Sequence, residues 1–285
     1  DVNGGAVFVG ASGTTGILVN STFINNSAKE HGGAVDWYAS SGDLENSTFI
    51  NNSAKYGGAV FVGQASATGK IINSTFINNT AIENGGAVDW NASSGFLENS
   101  TFINNSAKYG GAAYRGGGSY NGSSYNNTFI GNHAEIAGGA VDWAGTAGNI
   151  RDTVFINNTA GKSGGAIYVS DDSDNCTIHY CYFEGNYITN ASEGYGGAMH
   201  ILGNGSTIVD SEFINNHAPN GGAIFADSDS GNTHITEVKF EGNRATIDGG
   251  AVQITGSGVV LNETQFYSNT AGRSGGAVYV NGGSV

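Results

Sequence analysis

Two short signatures, Gly-Gly-Ala and Phe-x-x-Asn, alternate along this chain from end to end. Gly-Gly-Ala begins at Gly4, Gly32, Gly57, Gly85, Gly110, Gly138, Gly164, Gly196, Gly221, Gly249 and Gly275. Between successive copies stands one Phe, from Phe23 and Phe49 to Phe240 and Phe266, each followed three residues later by Asn. A unit of about 26 residues, made of short β-branched runs punctuated by glycine, is too short for two helices and a turn. It fits one coil of a parallel β-helix. The expected fold is therefore all-β, a single-stranded solenoid of about 10–11 coils spanning residues 1–285 as one domain. At a strand spacing of about 4.8 Å the rod would be near 50 Å long.

Aligned units indicate which side chains face inward. Five residues before the Phe stands Leu18, Leu44, Ile71, Leu97 or another apolar residue, with Ser124 the exception. Period-two alternation from this position puts the Phe inside and the residue after it outside. Two after the Phe the residue is Asn, Gly or once Ser, and Asn and Gly best tolerate a left-handed backbone, so a bend is expected at Asn51 and its equivalents. The invariant Asn that follows, at Asn26, Asn52, Asn79, Asn105, Asn132 and Asn158 and onward, is placed for an internal amide ladder. The Ala two further on, as at Ala54, suits the crowded interior after the bend; Ile188 replaces it in the unit with the longest insertion.

A second period overlies the first. The interval from Gly-Gly-Ala to the next Phe alternates between 19 and 17 residues through all ten units. In step with it, the position expected to point outward after Gly-Gly-Ala-Val alternates. It is Phe8, Phe61, Tyr114, Tyr168, Phe225 and Tyr279 in odd coils, and Asp36, Asp89, Asp142, His200 and Gln253 in even ones. The repeat is thus a two-coil unit of about 53 residues. Aromatic faces stack on sugar rings and carboxylates accept hydroxyl hydrogen bonds. Phe8, Asp36, Phe61, Asp89, Tyr114, Asp142 and Tyr168 therefore make a candidate ligand strip, kept low and accessible by Ala59, Ala87 and Ala112 if those also point outward. The bland alternative is that these aromatics pack on one another or on another part of a larger protein. Trp37, Trp90 and Trp143 face inward by parity.

Units such as Phe49 to Val60 resemble the repeats of chlamydial polymorphic outer membrane proteins. The run "NSTFINNSAKYGGAV" is most similar to adhesin-like surface proteins of methanogenic archaea. The resemblance implies a right-handed parallel β-helix, in keeping with the handedness of parallel crossovers. It also implies extracellular display on a cell surface and adhesion to a host or microbial glycan or protein. It transfers no catalytic residues. Both termini fall inside repeats, so the chain is expected to be a fragment of a longer surface protein whose other domains are partners. The alternatives are a passive stalk and a polysaccharide lyase or glycosidase. Three equivalent Asp residues speak against the enzyme, since catalysis usually needs one asymmetric constellation.

With 24 acidic against 10 basic residues and a net charge of -14, the chain offers no basic patch for nucleic acid. No apolar run is long enough to insert this segment into a bilayer. No cofactor is required by the pattern, but two acidic loops could take calcium through Asp171, Asp172 and Asp174, and Asp227 and Asp229. The six His residues fall at different repeat positions, and neither His179 nor His200 has a carboxylate partner at a matching column. Cys176 and Cys181 are too close along an extended strand to bridge, which favours two free buried thiols. Asn91, Asn121, Asn190 and Asn204 are the loop sequons open to glycosylation.

Overall fold

A computed structural model describes residues 2–11, 13–63, 68–91, 94–116, 122–145 and 148–282. Each coil contributes four short strands, exemplified by Val35–Trp37, Ser41–Glu45, Thr48–Ile50 and Ser53–Tyr56. We call them the Gly-Gly, Leu, Phe and Ala strands. Every strand pairs in parallel with its equivalent one coil away, giving sheets of eleven, ten, ten and nine strands among the described residues. The chain is a parallel β-solenoid of about ten turns, without helix among the described residues.

Three left-handed residues turn each coil. In one unit these are Asn46 between the Leu and Phe strands, Asn51 between the Phe and Ala strands, and Gly57 before the Gly-Gly strand, with φ of 49°, 55° and 60°. Asn51 sits where the spacing places a bend; the bend at Asn46 is an additional one. The second glycine, Gly58, has a different cause: a Cβ there would strike the carbonyl oxygen of Gly86 on the next coil.

Inside, like stacks on like. The rings from Phe23 to Phe266 form one column, with centroids 4.5–5.1 Å apart and planes within 18° of parallel. Beside it runs the amide ladder. Each Nδ2 donates to the Oδ1 of the next coil's Asn, as from Asn79 to Asn105 at 3.0 Å, and to the Phe carbonyl of the preceding coil, as from Asn79 to Phe49 at 3.1 Å. Each Oδ1 also accepts the backbone N–H of the preceding Asn, Asn105 from Asn79 at 2.9 Å. Every donor and acceptor of these buried amides is used. Ser47, Ser74 and Ser100 form a shorter hydroxyl ladder two residues before the Phe, each hydroxyl receiving the previous coil's N–H.

Trp37, Trp90 and Trp143 lie inside, and glycine opposite makes the room. A Cβ at Gly42, Gly69 or Gly148 would meet the ring of Trp37, Trp90 or Trp143 respectively. Further along, the Trp column becomes Val169, Ile201, Ala226 and Ile254, and the glycine column becomes Cys176, Ser206, Thr233 and Val259, all buried. Volume lost on one side is regained on the other. Arg115 stands between two of the indoles, its guanidinium 4.7 Å from the Trp90 ring and 4.6 Å from that of Trp143. It donates to the carbonyls of Gly95 and Ser123 at 3.0 and 3.3 Å, and burial lowers its pKa to about 9.

Removing one rung of either column leaves a defect that the neighbouring coils cannot close. Phe102→Ala should cost about 3–5 kcal/mol through lost burial and the cavity left behind. Asn105→Ala, which orphans buried partners on two coils, should cost about 1–3 kcal/mol for each group left unpaired. Urea unfolding followed by circular dichroism measures both, and an unchanged midpoint for either variant contradicts the inward assignment.

Candidate functional site

The Gly-Gly sheet builds the candidate strip as the sequence orders it. Register pairs Phe8 with Asp36, Asp36 with Phe61, Phe61 with Asp89, Asp89 with Tyr114, Tyr114 with Asp142 and Asp142 with Tyr168. The alternation continues through His200, Phe225 and Gln253. The flanking Val35 and Trp37 join the core cluster whereas Asp36 and Phe61 do not, so the strip faces away from the lumen.

Its accessibility is not what parity suggested. Asp36 and Asp89 are 0% exposed, Phe61 2% and Asp142 3%; Tyr114 and Tyr168 are half-buried, and only Phe8, at the open end, stands out at 52%. The rings lie down along their own strands: a Cβ at Gly10 would be 2.6 Å from the Phe8 ring, and one at Gly63 2.5 Å from that of Phe61. His31 then stacks on Phe61 at 4.3 Å, with Tyr56 and Tyr38 beside it. Nor do Ala59, Ala87 and Ala112 line an outer surface, since all three are buried in the core. The strip is a closed column, and its carboxyls are not offered to a ligand.

Neither carboxyl oxygen of Asp36 or Asp89 has a hydrogen-bond partner among the described residues. A carboxylate so placed would lose its hydration and gain nothing in exchange, so the neutral acid is favoured. Burial pushes Asp36 up to about 7, and Asp89 and Asp142 well above the usual carboxylate range. Burial, and then the Asp142 carboxyl, raise Tyr168 to about 12 and raise Tyr114 further.

The two histidines do have carboxylate partners, one coil on and outside the matching column. His179 Nε2 lies 3.0 Å from Asp210, and His200 Nε2 lies 3.3 Å from Asp227. Asp210 occupies the left-handed bend that Asn holds in the first five coils, outside the column of His179. His200 is buried among Tyr168, Tyr195 and Phe225; desolvation lowers its pKa, while the bond to His200 holds Asp227 at about 2. The Nδ1 of His200 is buried and meets no hydroxyl or thiol among the described residues, so the dyad activates no nucleophile there.

Of the proposed calcium ligands, Asp171, Asp172 and Asp229 are exposed and Asp174 caps the N–H of Asn204 at 2.9 Å. Asp227 is drawn instead to His200, Ser228 and Thr255. Among the described residues no three His, Cys, Asp or Glu side chains gather to hold a metal ion. Cys176 and Cys181 are free and buried, and desolvation raises them to about 11 and about 12. Asn91 and Asn204 are exposed, Asn190 is half-buried, and Asn121 lies outside the described residues.

Six segments match the model of the Chlamydia polymorphic membrane protein repeat: residues 20–36, 46–63, 73–89, 152–170, 210–227 and 263–281. The chain carries the polymorphic membrane protein repeat. Each match opens on the left-handed residue before a Phe strand and closes in or just after the Gly-Gly strand. The repeat is thus the part of a coil that holds both Asn bends, the Phe stack and the amide ladder. It omits most of the variable loop and the Leu strand. Together the matched segments cover less than half of the chain, and they are similar to the repeat of the chlamydial polymorphic membrane proteins. No curated protein and no solved structure gave a match.

The closed column makes the repeat region sensitive to pH in a definite direction. Unfolded, these Asp carboxyls release their protons near pH 4, whereas folded Asp36 keeps its proton to about pH 7 and burial holds Asp89 and Asp142 well above the usual carboxylate range. The native state binds more protons across that window, so stability falls as pH rises through it, by about 1.4 kcal/mol per pH unit for each group. Thermal midpoints should be highest near pH 4–5 and decline toward pH 8. Asp89→Asn should raise the midpoint at pH 8 and flatten the profile; a profile that keeps its wild-type slope contradicts a neutral Asp89.

Proposed function

We propose that this chain is a rigid segment of a cell-surface adhesin, projecting a binding surface toward a host or microbial partner. The polymorphic membrane protein repeat, matched six times, carries the reading, because it belongs to outer-membrane and surface proteins. The likeness of "NSTFINNSAKYGGAV" to archaeal adhesin-like proteins supports it as well. So does the division of labour within each coil. Asn ladder, Phe stack and closed outer column satisfy one another, which leaves loops and strand faces free to vary without loss of the fold.

A passive spacer is the second reading, and the burial of the aromatic and acidic column favours it, since the most regular outward feature is unavailable for contact. A polysaccharide lyase or glycosidase draws no support from the three Asp residues, which are buried and not offered to a substrate as nucleophile or general base. Labelled chain incubated with host epithelial cells and with microbial cells separates the first two. An adhesin segment should bind one of them saturably and be displaced by unlabelled chain. Background-level binding to all cells is the outcome expected of a spacer.

A further inference from the structure

The outer face of the Ala strands carries a hydroxyl side chain in five of its first six coils, His133 being the exception, and then changes character. Its first outward position reads Ser27, Ser53, Thr80, Ser106, His133 and Thr159, then Tyr187, His217 and Arg244. The early residues bond along the rod, His133 Nδ1 to Thr159 Oγ1 at 2.8 Å for example. The next outward position holds Lys55, the exposed Ile82, Lys108 and Glu135, the two Lys paired with Glu30 and Glu83, and later Thr189, Pro219 and Thr246. Pro219 is the one proline in the sequence.

In the coil where this change begins, the longest insertion leaves the Ala strand after Ile188. The insertion is folded rather than splayed. Asn190 Oδ1 accepts from Ser192 N and Oγ and from Glu193 N at 3.0–3.3 Å, and a Cβ at Gly194 would run into Ile188. Ile188, in place of the usual Ala, is buried with Ala134, Ala160 and Ala218 and props the loop from beneath. The loop and the altered face enclose an open cleft of about 380 Å³, with Tyr187, Thr189, His217, Pro219 and Thr246 in its walls.

The chemistry of these walls selects a ligand class. The Tyr187 ring is 43% exposed, a flat apolar face beside water. Thr189 and Thr246 are exposed and bring hydroxyls that donate and accept. No lining residue is Asp, Glu, Lys or Arg, and burial, then the Arg244 guanidinium, lower His217 so that its ring is neutral at physiological pH. We propose that the cleft binds a neutral saccharide, one pyranose ring lying with its C–H face on Tyr187 and its hydroxyls directed to Thr189 and Thr246. The volume suits one or two sugar rings and falls within the range of small-molecule pockets. The proposal supplies the adhesin reading with a ligand class and rests on that reading for its biological meaning.

The test is a titration of the full chain with neutral mono- and disaccharides, and with sialic and uronic acids as the acidic comparison, followed by amide chemical shifts. A neutral sugar should saturate shifts confined to Tyr187, Thr189, His217 and Thr246. Tyr187→Ala should weaken it at least about tenfold while keeping a cooperative thermal transition, because the side chain lies outside both buried clusters. Tyr267→Ala, exposed on another face, should leave affinity as it was. The proposal is overturned if no neutral sugar produces shifts, if only acidic sugars do, or if Tyr187→Ala binds as wild type does. Saturable cell binding by a chain that takes up no sugar refutes the cleft and spares the adhesin reading; sugar uptake without cell binding does the reverse.

Discussion

The amide ladder is the constraint from which the rest of this rod follows. A side chain that donates one hydrogen bond up the axis, another down it, and accepts two in return must have the same residue directly above and below. Asn meets that demand; Asp has no donor when ionised, and Ser has too few sites. Once the ladder is in register, the Phe three residues earlier is held over its neighbours at ring-stacking distance, and the bends fall at the same height in every coil. Length can vary only where no ladder passes. The variable segments accordingly lie between the Gly-Gly and Leu strands and between the Ala and Gly-Gly strands, the second varying by a single residue except in the long insertion after Ile188.

The same stacking explains the two-coil period. On the outer face of the Gly-Gly sheet a single-coil repeat would place Asp over Asp at about 4.8 Å, where two like charges repel strongly once water is excluded. Interleaving an aromatic ring doubles their separation. It also shuts out water, so the acids escape repulsion from one another but meet desolvation instead, and they answer it by keeping their protons. Glycine two residues past Phe8 and Phe61 belongs to the same arrangement, because it lets the ring lie flat.

Much of this was legible in the sequence because it is repeated. Ten copies fix the coil, the inward Phe, the bend at Asn51 and the position of the ladder through spacing alone. Parity named the face on which Asp36 and Phe61 sit but could not say how deep they lie. Depth depends on which way a ring falls and on what a neighbouring strand lays across it; Gly63 decides the first and His31 the second. The pairing of His179 with Asp210 escaped for a related reason. Spacing names only neighbours in the histidine's own column, whereas this carboxylate reaches across from a bend one coil further on. Arg115 gives no signal at all in sequence, since a lone arginine reads as surface until two tryptophans are seen on either side of it.

In a molecule this regular, departures from the repeat carry the information, and they are of two kinds. When the Trp column gives way to Val169 and Ile201, the facing glycines give way to Cys176 and Ser206, so the change is absorbed inside the wall and the outer shape is untouched. The change from Thr159 to Tyr187 and His217 has no such counterpart. Nothing opposite shrinks to match; instead an exposed ring and a braced loop appear together on the solvent side, with the buried Pro219 lining the same cleft. Compensated substitutions preserve a fold, and packing alone accounts for them. Substitutions that add exposed apolar surface without compensation work against solubility. Tyr187 is one such substitution, and with the braced loop and the altered neighbours His217 and Thr246 beside it, it sets that face apart from the scaffold that carries it.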